Sequence, residues 1–385
     1  MKINTIKWLS LSLLALFFWS CDPEFDDSVE DGDFFSPGDV DFSNFVSVGN
    51  SLTAGFADNA LYITGQENSF PNIMARQFRL VGGGDFEIPF MADNLGGFLV
   101  NGVQAAPNRL VLAADDQTAT PLGPAVLAGT PTTEILNTLQ GPFNNMGVPG
   151  AKSFHLLAPG FGDPAGLSAA PQTANPYFVR FASSPGTTVI ADAVAQNPSF
   201  FSLWIGNNDI LGFATSGGDG SNPITDLPTF QGAYTTLVNQ LTATGAEGIL
   251  ANIPDVTSIP FFTTVPFNAL DPNNPAFGPQ IPTLNQTFGL LNQVYSFLGV
   301  PERSIVFSTN GPSALVIHDE ALANLSQQIT QVLIQAGVPA GQANIFGALY
   351  GQSRQANAGD LLTLTAASAI GTINQNNVAF LTGLG

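Results

Sequence analysis

The chain has 385 residues, of which 44% are hydrophobic and only 10% carry a charge. Ordinary soluble domains are roughly 25% charged, so Asn, Gln, Ser, Thr and Gly must cover much of this surface, as is typical of extracytoplasmic proteins. The formal charge is −20, and the basic residues beyond the N-terminus are scattered singly. Nucleic-acid binding is excluded because no basic stripe can neutralise phosphates, and the acidic field disfavours a strongly anionic substrate.

The first 20 residues have the organisation of a lipoprotein signal peptide. Lys2 and Lys7 form a short basic region, an apolar run extends from Trp8 to Trp19, and Ser20 and Cys21 follow. The run is too short for a bilayer core of ~30 Å, which needs about 20 apolar residues. We therefore expect an exported protein that is anchored to the outer membrane through lipid on Cys21, the only cysteine. An incidental cysteine beside a membrane helix is the alternative.

Residues 21–41 are rich in Asp and Glu and contain no Lys or Arg. Such a segment repels itself and predicts a disordered tether. An acidic stretch directly after an acylated cysteine also resembles the surface-export signal of Bacteroidetes-type lipoproteins, which implies a position on the cell surface. A plain solvated spacer explains the composition equally well.

Residues 42–385 alternate short β-branched or aromatic runs with longer amphipathic runs, a pattern that predicts βαβ units and a parallel sheet in one α/β domain. The predicted strands are Phe42–Val48, Pro142–Met146, Phe200–Ile205, Gly248–Asn252 and Ser304–Ser308. The predicted helices are Ser69–Arg79, Thr229–Ala243, Pro282–Leu298 and Asp319–Ala336. The long Gly, Pro and Asn-rich stretches between them are interpreted as loop insertions around the core.

Each of the first three predicted strands leads into a short polar or glycine-rich motif. The first strand ends at Gly49-Asn50-Ser51-Leu52, the second at Gly147-Val148-Pro149-Gly150, and the third at Gly206-Asn207-Asn208-Asp209. Ligands of open α/β sheets bind at the carboxyl ends of the strands, which is where a nucleophilic serine is expected. Taken alone, Ser51 also suits a simple helix cap.

The three motifs, in this order on successive strands, resemble the conserved blocks of the SGNH (GDSL) hydrolase family, with Asn50 in place of the usual Asp. The resemblance implies a flavodoxin-like α/β/α sandwich with a five-stranded parallel sheet. It implies a serine esterase or lipase that hydrolyses a neutral carboxylic ester through an acyl-enzyme and needs no metal or other cofactor. A lipid, an acetylated glycan and a short-chain ester all remain open as substrate. The alternative is a non-catalytic surface lipoprotein of the same fold that binds glycan or lipid.

The resemblance also assigns roles to individual residues. Ser51 is the expected nucleophile. The expected oxyanion hole consists of the backbone N–H groups of Ser51 and Gly150 and the side-chain amide of Asn208. Gly206 is expected to allow the tight turn that aims Asn208, and Asp209 to hold that loop through hydrogen bonds. Nothing in the sequence indicates the oligomeric state.

The catalytic base is not identified in the chain. The family carries it as Asp-x-x-His after the last strand, but Lys152 lies three residues before His155 and Leu315 three residues before His318. We therefore expect the base-bearing loop to lie beyond Gly385, so that the C-terminal part of the domain is missing from this sequence. A degenerate relative that has lost its base, or a base formed by His318 with Asp319, are the alternatives.

Overall fold

The computed structural model describes residues 35–113 and 123–370. The predicted signal peptide, Cys21 and most of the acidic tether lie outside the described residues. The strands are β1 (Phe45–Gly49), β2 (Phe98–Val100), β3 (Val103–Ala106), β4 (Leu110–Ala113), β5 (Gly123–Val126), β6 (Asn145–Gly147), β7 (Phe200–Trp204), β8 (Glu247–Leu250), β9 (Val316–His318) and β10 (Ser353–Gln355). The helices are α1 (Ser51–Ala54), α2 (Ile63–Glu67), α3 (Phe70–Phe78), α4 (Pro176–Val179), α5 (Val189–Val194), α6 (Asn207–Thr215), α7 (Leu227–Thr242), α8 (Pro260–Thr263), α9 (Ile281–Phe297), α10 (Ser326–Gln335) and α11 (Ala340–Tyr350).

Four strands form a parallel sheet in the order β6-β1-β7-β8. These are the first four predicted strands, and they are confirmed with ends shifted by no more than a few residues. β1 is buried along its whole length, as expected for a strand of a parallel sheet that is covered on both faces. Counted along the chain, the four strands lie in the order second, first, third, fourth. The crossovers from β1 to β6 and from β6 to β7 therefore run in opposite directions across the sheet.

Helices pack against both faces of this sheet, so the α/β prediction is confirmed. On one face, Val46 and Val48 of β1 share a core with α5 and α7. On the other face, Phe45 of β1 and Phe200 of β7 pack with α3. Burying one side chain of this size contributes about 1.5–3 kcal/mol. The two-residue alternation along β1 thus explains how one short strand joins both helical layers.

The long segment between α3 and β6, predicted as loop, contains two antiparallel hairpins. β2 pairs with β3, and β4 pairs with β5. The second hairpin is attached to the loop that follows α1, because the Leu110 N–H donates to the Asp58 carbonyl at 2.8 Å. Arg109 forms an ion pair with Asp58 at 3.5 Å and lies over the Tyr62 ring. The loop after Ser51 is therefore held by contacts that are distant in the sequence.

Internal contacts divide the chain into two compact units. One comprises Met1–Ile205 and Pro228–Asn252 and contains the four-stranded sheet, and the other comprises Gly206–Leu227 and Ile253–Gly385. The second unit has its own hydrophobic core, in which α9, α10 and α11 contribute the buried residues Leu291, Tyr295, Ile329, Leu333 and Ala343.

The predicted fifth strand, Ser304–Ser308, is wrong. Side-chain carboxamides take up its backbone hydrogen bonds in place of a neighbouring strand. Asn292 of α9 accepts from the Ile305 N–H at 2.8 Å and donates to the Ile305 carbonyl at 2.9 Å. Asn285 of α9 makes the same pair of bonds with Phe307. The segment is partly buried, with Ile305 and Phe307 in the core as its composition predicts, but it lies against a helix.

The predicted helix Asp319–Ala336 begins too early. Its first residue directly follows β9, which pairs with β10 so that His318 lies opposite Ser353. The helix itself, α10, begins at Ser326. Asp319 is instead part of an ionic cluster: Arg354 donates to Asp319 through Nε at 2.6 Å, and to Asp360 through Nη1 and Nη2 at 2.6 and 2.8 Å. This cluster stabilises the antiparallel pairing of β9 with β10.

We predict that Arg354→Gln lowers the free energy of unfolding at pH 7 by more than the loss of an isolated exposed ion pair does, because two carboxylates lose charged hydrogen bonds. Arg354 holds the pKa of Asp319 and of Asp360 below the ordinary value of 3.8. A carboxyl group with a lowered pKa contributes stability above its ordinary pKa, and this contribution is lost as the pH falls through the lowered value. Urea unfolding from pH 7 to about pH 3 should therefore show the difference from wild type shrinking on acidification.

Arg79→Gln is the matched control, because the Arg79–Asp85 pair is 3.9 Å long and exposed. This variant should stay within about 0.5 kcal/mol of wild type. Equal losses for the two variants at pH 7 would contradict the role given to the Arg354 cluster.

Candidate active site

Ser51 lies at the carboxyl end of β1, as the first residue of α1, and is half-buried. Neither its hydroxyl nor its backbone N–H has a hydrogen-bond partner within residues 35–113 and 123–370. Its carbonyl accepts from the N–H groups of Gly55 and Phe56 at 3.1 and 2.9 Å. The backbone of Ser51 is therefore fixed, whereas its two groups suited to acyl transfer are uncommitted.

Asn50 fixes the turn that presents Ser51. It is fully buried and caps α1, with Oδ1 accepting from the Leu52 N–H at 3.1 Å. An aspartate makes the same capping bond, so the departure from Gly-Asp-Ser-Leu leaves the turn intact. The Nδ2 atom of Asn50, the hydroxyl of Thr53 and the indole N–H of Trp204 are buried without a partner among the described residues. Such unsatisfied polar groups are few in native proteins, and three of them lie on chain segments at this edge of the sheet.

Two glycines allow α1 to lie directly over the strand ends. Gly49 of β1 and Gly147 of β6 are paired in the sheet. A Cβ on Gly49 would lie 2.4 Å from the carbonyl oxygen of Trp204, and a Cβ on Gly147 would lie 2.3 Å from the backbone nitrogen of Ala54. Asn145 connects the same parts, since its Nδ2 donates to the Thr53 carbonyl at 2.9 Å and its Oδ1 accepts from the Gly147 N–H at 3.0 Å.

Gly150 lies three residues beyond β6, is exposed and has a φ of +80°. This left-handed conformation favours glycine. No partner for its N–H is found within the described residues. Asn175 holds the loop, because Nδ2 donates to the Pro149 carbonyl at 2.8 Å while Oδ1 accepts from the Tyr177 N–H at 2.9 Å. We did not predict Asn175 from the sequence: Asn-Pro is a recognisable helix start, but nothing in the sequence connects it to a loop 26 residues earlier.

The β1–β6 register brings the first two motifs together. Ser51 is two residues beyond Gly49, Gly150 is three residues beyond Gly147, and both chains leave the same edge of neighbouring strands. Neighbouring strands lie about 4.8 Å apart. Among the described residues, the carboxyl edge of this sheet thus carries the half-buried, uncommitted Ser51 hydroxyl and two uncommitted backbone N–H groups, those of Ser51 and Gly150.

The third motif begins the second unit. Gly206 directly follows the last residue of the first unit and has a φ of +116°, as the predicted tight turn requires. Asn208 is half-buried in the first turn of α6, and Asp209 is 3% exposed. The Asp209 carbonyl accepts from the Thr225 N–H at 2.9 Å. The role of Asn208 as an oxyanion donor stays a prediction.

His155 lies in a 3-10 turn, Ser153–Leu157, of the first unit. Its Nδ1 accepts from the Lys152 N–H at 3.1 Å, and its ring stacks on Phe161 with the centroids 4.9 Å apart. Since Nδ1 is an acceptor, Nε2 carries the proton of the neutral ring. These contacts are those of a hydrogen-bonded loop histidine.

His318 is the exposed last residue of β9. The carboxylate of the adjacent Asp319 accepts from Arg354 and from the Ala321 N–H at 3.0 Å. It is thus engaged in the ionic cluster and does not orient the neighbouring imidazole. The catalytic base remains unassigned.

A cavity of about 360 Å³ lies at the opposite end of the strands, where β6 and β7 begin. Phe143, Met146, Phe181 and Gln196 contribute to its lining, and none of the predicted site residues does. Its volume falls within the usual range for small-molecule sites. We place the candidate site at the carboxyl edge nevertheless, because the free hydroxyl and the free N–H groups lie there.

Across the described parts of the chain, no helix combines the length and the apolar character needed to cross a bilayer. The same residues bring no three His, Cys, Asp or Glu side chains together as metal ligands. Comparison with known proteins finds no match to this chain among family models, curated proteins or solved structures.

We predict that Gly147→Ala lowers the free energy of unfolding by about 1–3 kcal/mol or more, because the added methyl group meets rigid backbone. The control is Gly232→Ala on the exposed face of α7, where a Cβ has no neighbour within 4 Å. Alanine in a helix interior should stabilise by about 0.5–1 kcal/mol. In urea unfolding, Gly147→Ala should therefore destabilise the protein and Gly232→Ala should stabilise it. A Gly147→Ala variant as stable as wild type, or more stable, would disprove the close approach of α1 to β6.

Proposed function

We propose that this protein is a serine esterase of the SGNH hydrolase type, with Ser51 as nucleophile. The observation that carries the proposal is the pairing of an uncommitted Ser51 hydroxyl with two uncommitted N–H groups, on Ser51 and Gly150, at one edge of a parallel sheet. The second-first-third-fourth strand order supports a flavodoxin-like arrangement, whose ligands bind where the strand order reverses, beside the first strand.

The proposed reaction is acyl transfer from a carboxylic ester. The Ser51 Oγ attacks the ester carbonyl carbon, and the carbonyl π electrons move to oxygen to form a tetrahedral oxyanion. The oxyanion accepts hydrogen bonds from the Ser51 and Gly150 N–H groups, and losing one such donor typically costs ~3 kcal/mol in the transition state. Collapse of the oxyanion breaks the ester C–O bond, and the leaving oxygen takes up the proton that Ser51 released, so that an alcohol departs. Water then attacks the Ser51 ester in the same way, which releases the acid and returns a proton to Ser51.

The remaining assignments rest on the resemblance alone. Asn208 is the proposed third donor, Gly206 shapes its turn and Asp209 holds that turn. The Ser51 proton passes to a base that is not assigned. We also propose a neutral substrate, because the chain carries a formal charge of −20 and would repel an anion. Anchoring to the outer membrane through Cys21 completes the proposal.

The esterase test uses p-nitrophenyl acetate and external imidazole. Because the Ser51 hydroxyl contacts no base within the described residues, we expect slow hydrolysis by the 385-residue chain and faster hydrolysis when imidazole accepts the proton. Ser51→Ala should remove both the basal rate and the imidazole-dependent gain above the reaction of imidazole in solution.

Two variants serve as controls. Ser184→Ala removes an exposed hydroxyl of the same unit that makes no hydrogen bond within the described residues, and it should behave as wild type. His155→Gln should also keep the imidazole-dependent gain, because His155 is not the proposed base. Hydrolysis that is equal in wild type and Ser51→Ala, with and without imidazole, would contradict the proposal.

A further inference from the structure

A buried guanidinium in the first unit lacks a carboxylate partner. Arg180 directly follows α4 and is only 3% exposed. Its Nη2 donates to the carbonyl oxygens of Pro89, at 3.0 Å, and Phe90, and its Nη1 lies 2.9 Å from the sulfur of Met91. An arginine has five N–H groups. The Nε–H and the second Nη1–H therefore have no partner within residues 35–113 and 123–370.

The positive charge of Arg180 persists at neutral pH. Burial lowers the pKa of its guanidinium to about 10, so the group is protonated at pH 7. Among the described residues, no Asp or Glu forms an ion pair with it. A buried charge is strongly destabilising unless an opposite charge and hydrogen bonds compensate it. Carbonyl oxygens supply hydrogen bonds but no net negative charge.

A small cavity lies beside this guanidinium. Its volume is about 10 Å³, and Arg180, Tyr177, Gln66 and Asn145 border it without any acidic side chain. A cavity of this size has room for a single small particle. The carboxamides of Gln66 and Asn145 are engaged by backbone groups. The hydroxyl of Tyr177 has no partner within the described residues, and burial raises its pKa to about 12, so it remains a donor.

We propose that this cavity binds a single monoatomic anion, chloride under ordinary conditions, as the counter-ion of Arg180. The uncommitted groups of the bordering residues Arg180 and Tyr177 are donors, the only charge bordering the cavity is positive, and the small volume favours a monoatomic anion over acetate or phosphate. Ala54 of α1 and Gly147 of β6 also border the cavity. Chloride would thus stabilise the junction at which α1 lies over the sheet, whether or not Ser51 is a nucleophile.

The test compares thermal unfolding in sodium chloride, sodium bromide and sodium gluconate at equal ionic strength. Gluconate is too large for the cavity and serves as the inert anion. We expect a saturable rise in Tm of about 2–4 °C with chloride or bromide relative to gluconate. The same Tm in all three salts would overturn the proposal, because water alone would then fill the cavity.

Variants locate the effect at Arg180. Tyr177→Phe keeps the ring and removes the hydroxyl, and should shift the chloride response to higher concentration. Arg180→Met should abolish the response, whereas Arg79→Met, an exposed arginine, should retain it. If Arg180→Met does not fold, anomalous diffraction from wild-type crystals soaked in bromide provides the test. An anomalous peak beside Arg180 supports the proposal, and the absence of a peak there overturns it.

Discussion

The candidate site depends on one steric constraint, the close approach of α1 to the ends of β1 and β6. Gly49 and Gly147 are paired in the sheet. A Cβ on Gly49 would clash with the backbone of β7, and a Cβ on Gly147 would clash with the backbone of α1. Ser51 lies at the sheet edge, and its N–H is uncommitted because the first residue of a helix has no intrahelical acceptor. Asn145 and Asn50 then fix the helix through side-chain to backbone hydrogen bonds, of which the Asn145 bond is buried. Small residues and carboxamides, more than any charged group, create this arrangement.

Much of the sheet was predictable because its signal is local. β1 and β7 are short runs rich in β-branched or aromatic residues, and turn-forming residues lie on both sides of each. Their composition alone therefore indicates buried strands. The order of the motifs after these strands also indicated where Ser51 and Gly150 would lie. The tight turn at Gly206 followed from the tolerance of glycine for positive φ, and Gly206 adopts it with a φ of +116°.

The failures have a common physical cause, since each concerns a partner that is distant in the sequence. Segment 304–308 has the composition of a strand, but Asn285 and Asn292 of α9 satisfy its backbone. Asp319 is a residue type that often begins a helix, but here its carboxylate accepts a hydrogen bond from Arg354. No sequence pattern reveals that a carboxamide will replace a strand, or that Asn175 will hold the Gly150 loop. Four strands were therefore predictable, whereas the absence of a strand at 304–308 and the supports of the site were not.

The most direct test of the central claim is to identify the residue that becomes acylated. Wild-type protein would be mixed with p-nitrophenyl acetate, quenched in acid during turnover, digested and sequenced by tandem mass spectrometry. The account predicts an acetyl group on the Ser51 hydroxyl, which disappears in Ser51→Ala. Acetylation confined to other side chains, such as the Lys152 amine, with none at Ser51, would contradict it.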